Sequence, residues 1–284
     1  MEFNSDRDFD NSSAGVSSAD NPSLTVESAI ANLKQREDIG ARYYAAWWLG
    51  RFRVKEPEAI ATLIESLKDE TDRTPDGGYP LRRNAATALG KLGDRQAVLP
   101  LIQCLECEDY YVRESAAQAL EMLGDRSGIP PLLKLLDGGV QAAVQYPGKP
   151  HLVQPYEAII EALGTLKATD ATGQIEPFLE HFVEKVQYAA ARAMYQLTGN
   201  AIYGERLANA LQKDDLQLRR SALMDLGAIG YLPAASAIAD TLAENSLKLI
   251  SLKGLLETHL QNRPTESVLS DESIQVMMLM DKLL

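Results

Sequence analysis

The sequence holds three histidines, and one of them stands where chemistry is possible. His151 lies in a stretch, 138–155, that also carries Tyr146, Lys149 and Gln154 and runs into Tyr156. An imidazole among phenols and an amine is a set suited to proton transfer. His181 and His259 stand apart and read as helix-end or surface residues. No histidine pair at metal-ligand spacing and no His-Glu dipeptide occurs, so the sequence predicts neither a metal site nor a bound cofactor. A glycine-rich phosphate loop, a Ser-His-Asp set and paired catalytic carboxylates are likewise missing. Cys104 and Cys107 form a lone C-x-x-C, too few ligands for a structural zinc. Cys104 reads as a core filler and Cys107 as a helix-end residue.

A second group of residues is suited to contact rather than to reaction. Both tryptophans, Trp47 and Trp48, follow the adjacent tyrosines Tyr43 and Tyr44 in 42–54. The skeleton of that segment, Arg-x-x-Ala-Ala-x-x-Leu-Gly, returns at Arg82 and, without its glycine, at Arg113, so the segment is the first unit of a repeat. Trp48 aligns with Ala88, Ala119, Ala162 and Ala193 and is expected to fill a terminal core. Trp47 aligns with Thr87, Gln118, Glu161 and Arg192, and Tyr43 with Arg83, Glu114 and Glu157. An aromatic side chain where every sibling keeps a solvated one predicts a contact surface.

The elements that must position these residues are helical. Apolar residues recur at helical spacing from Asp38 onward, with no convincing alternating strand. Each unit joins a helix of the form Val-Arg-x-x-Ala-Ala-x-Ala-Leu-x-x-Leu-Gly-Asp to a second of the form Ile-Pro-x-Leu-Leu-x-Leu-Leu. A hairpin of this kind buries its apolar face only by stacking on its neighbours, which predicts an all-α solenoid of about six to seven units over 24–284. The reference positions Leu49, Leu89, Leu120, Leu163, Met194 and Leu226 are 40, 31, 43, 31 and 32 residues apart. Two inserts therefore interrupt a unit of 31, at 69–80 and 138–155, both between a second helix and the next first helix. Equivalent loops leave a solenoid on one edge, so the inserts are expected on the same side.

Three Asp/Arg pairs at a spacing of four (Asp38 and Arg42, Asp109 and Arg113, Asp215 and Arg219) predict a ladder of hydrogen-bonded pairs between units. Tyr156 and Gln187 break it at the Arg position in units four and five. A last apolar helix at 271–284 is a cap or a docking surface. Residues 1–23, rich in Asp, Asn and Ser, are expected to be disordered, and Thr25 to cap a short helix through Leu33.

The chain has 28 Lys and Arg against 40 Asp and Glu, a net charge of −12. That excess argues against nucleic acid as a partner. No apolar run reaches the roughly 18 residues of a membrane span, and no signal peptide opens the chain, so the expectation is a cytoplasmic protein without a membrane partner.

The repeat resembles the HEAT-like repeat of phycobilisome lyases. The likeness becomes specific at 42–54, at Gly78-Tyr79-Pro80-Leu81-Arg82-Arg83-Asn84-Ala85, at Gly139-Val140-Gln141-Ala142-Ala143-Val144-Gln145 and at Pro150-His151-Leu152-Val153-Gln154-Pro155-Tyr156-Glu157. Together these resemble the E-type (alpha) subunits of cyanobacterial phycocyanobilin:phycocyanin α-chain lyases. The resemblance implies a heterodimer with an F-type subunit that attaches phycocyanobilin, reversibly, as a thioether to a cysteine of the phycocyanin α chain. The nucleophile is then the acceptor's thiol, with no cysteine required of the lyase. A bilin carries two propionates, pyrrole N–H groups and a long π-system, for which the insert edge offers Tyr79, Arg82, Arg83 and Gln154. His151 and Tyr156 become the candidate acids, and Tyr43, Tyr44 and Trp47 the partner contacts. Two alternatives stand beside this reading: a related lyase serving phycoerythrocyanin, and a scaffold that binds proteins without a reaction.

Overall fold

A computed structural model describes residues 24–261 and 269–284. The stretch 1–23, for which disorder is expected, lies outside them. The regular elements among the described residues are all helices, with one isolated antiparallel bridge, between Gln145 and Leu152.

Thr25 caps α1 (Val26–Lys34), its hydroxyl accepting from Ser28 N while the Ser28 side chain returns to the Thr25 amide. Seven stacked units follow. The first pairs α2 (Ile39–Arg51) with α3 (Pro57–Ser66), and the second α4 (Pro80–Leu92) with α5 (Val98–Cys104). The third pairs α6 (Tyr110–Leu123) with α7 (Ile129–Lys134), and a one-turn helix, α8 (Gly139–Ala142), opens the insert after it. The fourth has α9 (Tyr156–Thr165) and a broken second helix, α10 (Thr172–Ile175) with a 3-10 turn at Glu176–Glu180. The fifth joins α11 (Glu184–Thr198) to α12 (Ala201–Ala210), and the sixth α13 (Leu216–Ile229) to α14 (Ala235–Asp240). The seventh is α15 (Asn245–Gln261), against which α16 (Asp271–Asp281) packs, also touching α14.

The first helices form one continuous layer, each against the next. Their small residues set the spacing: a Cβ added at Gly50 would lie 2.8 Å from the Ala88 Cα, and one at Gly90 2.8 Å from the Ala119 Cα. Backbones so close make this a tightly packed layer. The reference leucines Leu49, Leu89, Leu120, Leu163 and Leu226 are fully buried between the layers, each worth about 1.5–3 kcal/mol of transfer free energy. Cys104 belongs to that core, where burial pushes its thiol up to about 12.

The expected Asp/Arg ladder takes another form. Asp38, Asp109 and Asp215 cap their own helices, accepting from Ala41 N, Tyr111 N and Gln217 N. The arginines instead hold carbonyls at or beyond helix ends: Arg42 Nε donates to Leu33 O, Arg82 Nε to Asp69 O and Arg219 Nε to Leu242 O. The carbonyls that follow a helix end need donors, and a guanidinium supplies several at once. Gln187 serves the same end in unit five, giving an N–H to His181 O.

Candidate functional site

Each insert turns back on itself by its own sequence. In 69–80, Thr74-Pro75-Asp76-Gly77 forms a turn closed by Gly77 N donating to Thr74 O at 2.9 Å, with proline at the position that fixes φ. In 138–155, Tyr146-Pro147-Gly148-Lys149 closes through Lys149 N to Tyr146 O at 3.1 Å. Gly148 takes φ +74°, which the third residue of this turn type requires. Tyr146 N then bonds His151 O and Val153 N bonds Val144 O, so His151 is carried on a short two-sided finger.

Both fingers are pinned to the start of α6. Asp109 accepts from Tyr79 N at 2.7 Å while capping α6, and Glu108 accepts from Arg73 at 2.5 Å and from the Tyr79 hydroxyl at 3.0 Å. Arg113 reaches the other finger, donating to Gln154 Oε1 at 2.9 Å and Val153 O at 3.0 Å, and also holds Cys107 O and Glu108 O. The two inserts therefore face each other across Tyr110 and Tyr111. Between them lies a cavity of about 480 Å³, lined by Arg73, Tyr110, Tyr111, Tyr146, Lys149 and His151 among others. That is within the usual size range of small-molecule sites.

The cavity is an aromatic rack. His151 stacks on Tyr110 at 4.2 Å between ring centroids and 17° between planes, and meets Tyr111 and Tyr146 at 5.8 Å. The Arg83 guanidinium lies over the Tyr111 ring at 5.2 Å. His151 Nδ1 is 2.8 Å from Leu152 O, and because a carbonyl only accepts, Nδ1 carries the proton. A neutral His151 thus presents Nε2 as an acceptor. Burial, reinforced by Glu114 and Glu157, pushes the Tyr110 hydroxyl upward, so it stays protonated and can donate.

The residues singled out from the sequence divide accordingly. His151 and Arg83 meet at the rack. Tyr79 does not line it as a bilin contact: the ring is 6% exposed, held between Arg82 at 4.1 Å and Arg73 at 5.4 Å. Arg82 turns away toward the Asp69 and Lys68 carbonyls and Glu70. Gln154 is committed to Arg113. Tyr156 is a core residue, 2% exposed and packed on Phe178 at 5.4 Å, and burial rather than catalysis explains its raised hydroxyl. His181 is also buried: its Nε2 donates to Ala143 O and its Nδ1 accepts from Val183 N, anchoring the base of the second finger.

Tyr44 and Trp47 stack at 5.5 Å and are 53% and 47% exposed, whereas Tyr43 and Trp48 are half-buried against the core. The solvated siblings expected beside Trp47 are only partly so. Glu161 and Arg192 are ion-paired at 3.3 Å with side chains 17% and 14% exposed. Tyr110 and Tyr111 were not singled out from the sequence. Their signal is the paired tyrosines after Asp109, a doubling otherwise seen only at Tyr43-Tyr44.

Residues 41–69 match the PBS lyase HEAT-like repeat and residues 73–146 the HEAT repeats. The phycocyanobilin lyase subunit alpha of Synechocystis sp. strain PCC 6803 is 65% identical over 266 residues, covering 93% of this chain and 98% of that protein. The bilin biosynthesis protein PecE of Nostoc sp. strain PCC 7120 is 46% identical over 242 residues, 85% of this chain and 90% of that one. Among solved structures, the complex of CpcE and CpcF of phycocyanin lyase from Nostoc sp. PCC7120 contains a chain with 62% identity and a TM-score of 0.88, covering 96% of this chain and all of that one. The chain belongs to the family of phycocyanobilin lyase alpha subunits.

Proposed function

We propose that this chain works with an F-type subunit to take up phycocyanobilin and attach it as a thioether to a cysteine of the phycocyanin α chain. The observation that carries this reading is the rack between the inserts. A conjugated tetrapyrrole needs flat aromatic surfaces, and the rack offers Tyr110, Tyr111 and His151. Its propionates need cations, and Arg73, Arg83 and Lys149 stand at the rim. Its pyrrole N–H groups need acceptors, and the His151 Nε2 is one. The chain contributes mainly position: the pigment is held with its exocyclic ethylidene carbon open to the acceptor's thiol. Tyr79, Arg82, Arg113 and Gln154 serve from behind by fixing the two fingers.

The test is co-expression with an F-type subunit, phycocyanobilin and the phycocyanin α chain, scored by bilin absorbance on the α chain under denaturing conditions. Covalent pigment that depends on this chain supports the reading. Its absence, with all partners folded, defeats it. The phycoerythrocyanin alternative is the weaker one, because identity drops from 65% to 46% between the two named relatives. No helix among the described residues is long and apolar enough to cross a membrane.

A further inference from the structure

Addition of a thiol across the pigment's ethylidene double bond moves one proton. The S–H bond and the π bond break, a carbon–sulfur bond forms, and the electron pair left on the adjacent ring carbon ends as a C–H bond. A thiol is only a few per cent ionised near neutral pH, so a base beside it governs the supply of thiolate. The proton taken from sulfur is the one that the ring carbon needs, and a single group can carry it.

We infer that His151 is this proton carrier: its Nε2 takes the proton from the acceptor's thiol and then gives it to the ring carbon of the pigment. The assignment rests on the bilin reading above and makes His151 a base first, rather than a resident acid. The imidazole is held for that role. Its Nδ1 is committed to Leu152 O at 2.8 Å, which fixes the tautomer. The finger fixes that carbonyl in turn, through the Gln145–Leu152 bridge and through Tyr146 N bonded to His151 O at 2.9 Å. One ring face lies on Tyr110, 4.2 Å between centroids, with Tyr111 and Tyr146 each 5.8 Å away. Nε2 has no hydrogen-bond partner among the described residues, and His151 lines the cavity between the inserts. One nitrogen and one face are thus fixed before any substrate arrives, and the lone pair of the other nitrogen is left for it. That lone pair has one occupant at a time: a pyrrole N–H in the pigment complex, the thiol proton once the acceptor docks.

The other groups around the cavity are unsuited to the task. Glu108 accepts from Arg73 and from the Tyr79 hydroxyl, and Asp109 from the Tyr79 and Tyr111 amides. Asp76 lines the cavity from the first finger but is exposed, and solvated carboxylates are weak bases toward a thiol. Arg73, Arg113 and Lys149 are donors without a lone pair. Tyr110, Tyr111 and Tyr146 supply ring contacts to His151.

The experiment uses the full chain paired with its F-type subunit and follows non-covalent uptake of phycocyanobilin separately from its attachment to the phycocyanin α chain. His151→Gln keeps an acceptor for a pyrrole N–H, the amide oxygen, but has no basic nitrogen. His151→Phe keeps a ring on Tyr110 and loses the acceptor as well. The glutamine variant should take up pigment as the wild type does and attach it about 100-fold more slowly at neutral pH. Solvent must then ionise the thiol, so the variant's rate should climb about tenfold per pH unit toward the ordinary thiol value of about 8.5. The wild-type rate should climb less steeply, and the gap between the two should narrow. The phenylalanine variant should attach no faster than the glutamine one and also take up less pigment. A wild-type rate in His151→Gln, a gap that stays constant as pH rises, or uptake lost in His151→Gln overturns the inference. A wild-type pair that attaches no pigment at all defeats the underlying reading instead, so the two failures are distinguishable.

Discussion

Arg192 donates to Glu121 across 2.6 Å, although the two residues belong to units five and three of the solenoid. The same guanidinium lies 3.3 Å from Glu161 of unit four and 3.4 Å from Asp225 of unit six. One cation therefore ties four successive first helices across their layer. Three carboxylates share it, and the site is nearly dry: the Asp225 side chain is 5% exposed and the Arg192 Nε has no acceptor among the described residues. Burial drives Asp225 up to about 7 and Glu161 well upward, the attraction of Arg192 being too little for three anions.

A definite pH dependence follows. An unfolded Asp titrates near 3.9, so between there and about 7 the native chain holds a proton on Asp225 that the unfolded chain has released. Stability from this group must fall as pH rises through that window and level off above it. Denaturant midpoints measured from pH 5 to pH 8 should decline in the wild type. Asp225→Asn should flatten the decline, and a slope identical in both proteins would refute the assignment.

The opposite sign is expected at the other end of the array. Burial acts to raise Asp69, but hydrogen bonds from Arg42 and Thr71 prevail and hold it down to about 2. Its folded value lies below its unfolded one, so its contribution is complete above about pH 4 and is lost as pH falls toward 2. Asp69→Asn should reduce stability at pH 7 and make the acid limb shallower between pH 4 and pH 2, as followed by circular dichroism. A limb of unaltered steepness would contradict this.

Removing the shared cation should cost more than removing any one of its acids. Arg192→Met leaves Glu121, Glu161 and Asp225 buried without a counter-charge. The expected loss is about 3–5 kcal/mol at pH 8, shrinking toward pH 5 as the acids protonate. Equilibrium unfolding in urea at the two pH values measures it, and a loss independent of pH would mean that packing, not charge, is at stake.

Tyr156 separates a structural from a catalytic role cleanly. Among the described residues its hydroxyl has no hydrogen-bond partner, while its ring is wedged against Phe178. Tyr156→Phe should leave pigment attachment at the wild-type rate and change stability by less than about 1 kcal/mol. Tyr156→Ala should cost about 3–5 kcal/mol through the cavity it opens. An attachment defect in the phenylalanine variant would return Tyr156 to the chemistry.

The contrast between Tyr156 and His151 shows where the sequence is readable and where it is not. Repeat period and insert position are local counts, so the stacked units and the meeting of two loops on one edge follow from spacing alone. Leu49 and its equivalents are buried as the period demands. Side-chain direction at an insert's end is another matter. Tyr156 sits one residue beyond the finger that carries His151, yet it is already the first residue of α9 and points into the core. Arg82 and Arg83 are likewise adjacent and face opposite ways. Contacts spanning several units, such as Arg192 to Glu121, depend on curvature, which no single repeat encodes. Tyr110 and Tyr111 were overlooked because the third unit carries no insert of its own; its neighbours on both sides supply the loops.

The stacked pair Tyr44 and Trp47 sits at the first unit, about half exposed, with its two rings against each other. Two large rings held rigid by each other lose little entropy on docking and displace much water, which is the profile of an interface anchor. If they meet the F-type subunit, Trp47→Ala should weaken pairing by about 2 kcal/mol or more, roughly a 30-fold rise in Kd. Tyr44→Ala should act in the same direction and by less. Neither change should lower the unfolding midpoint of the isolated chain, because Ala45, Ala46 and Leu49 hold α2 in place without them. Titration of the purified subunits by calorimetry decides the matter: an unchanged Kd in the Trp47→Ala protein would assign this surface to something other than the partner.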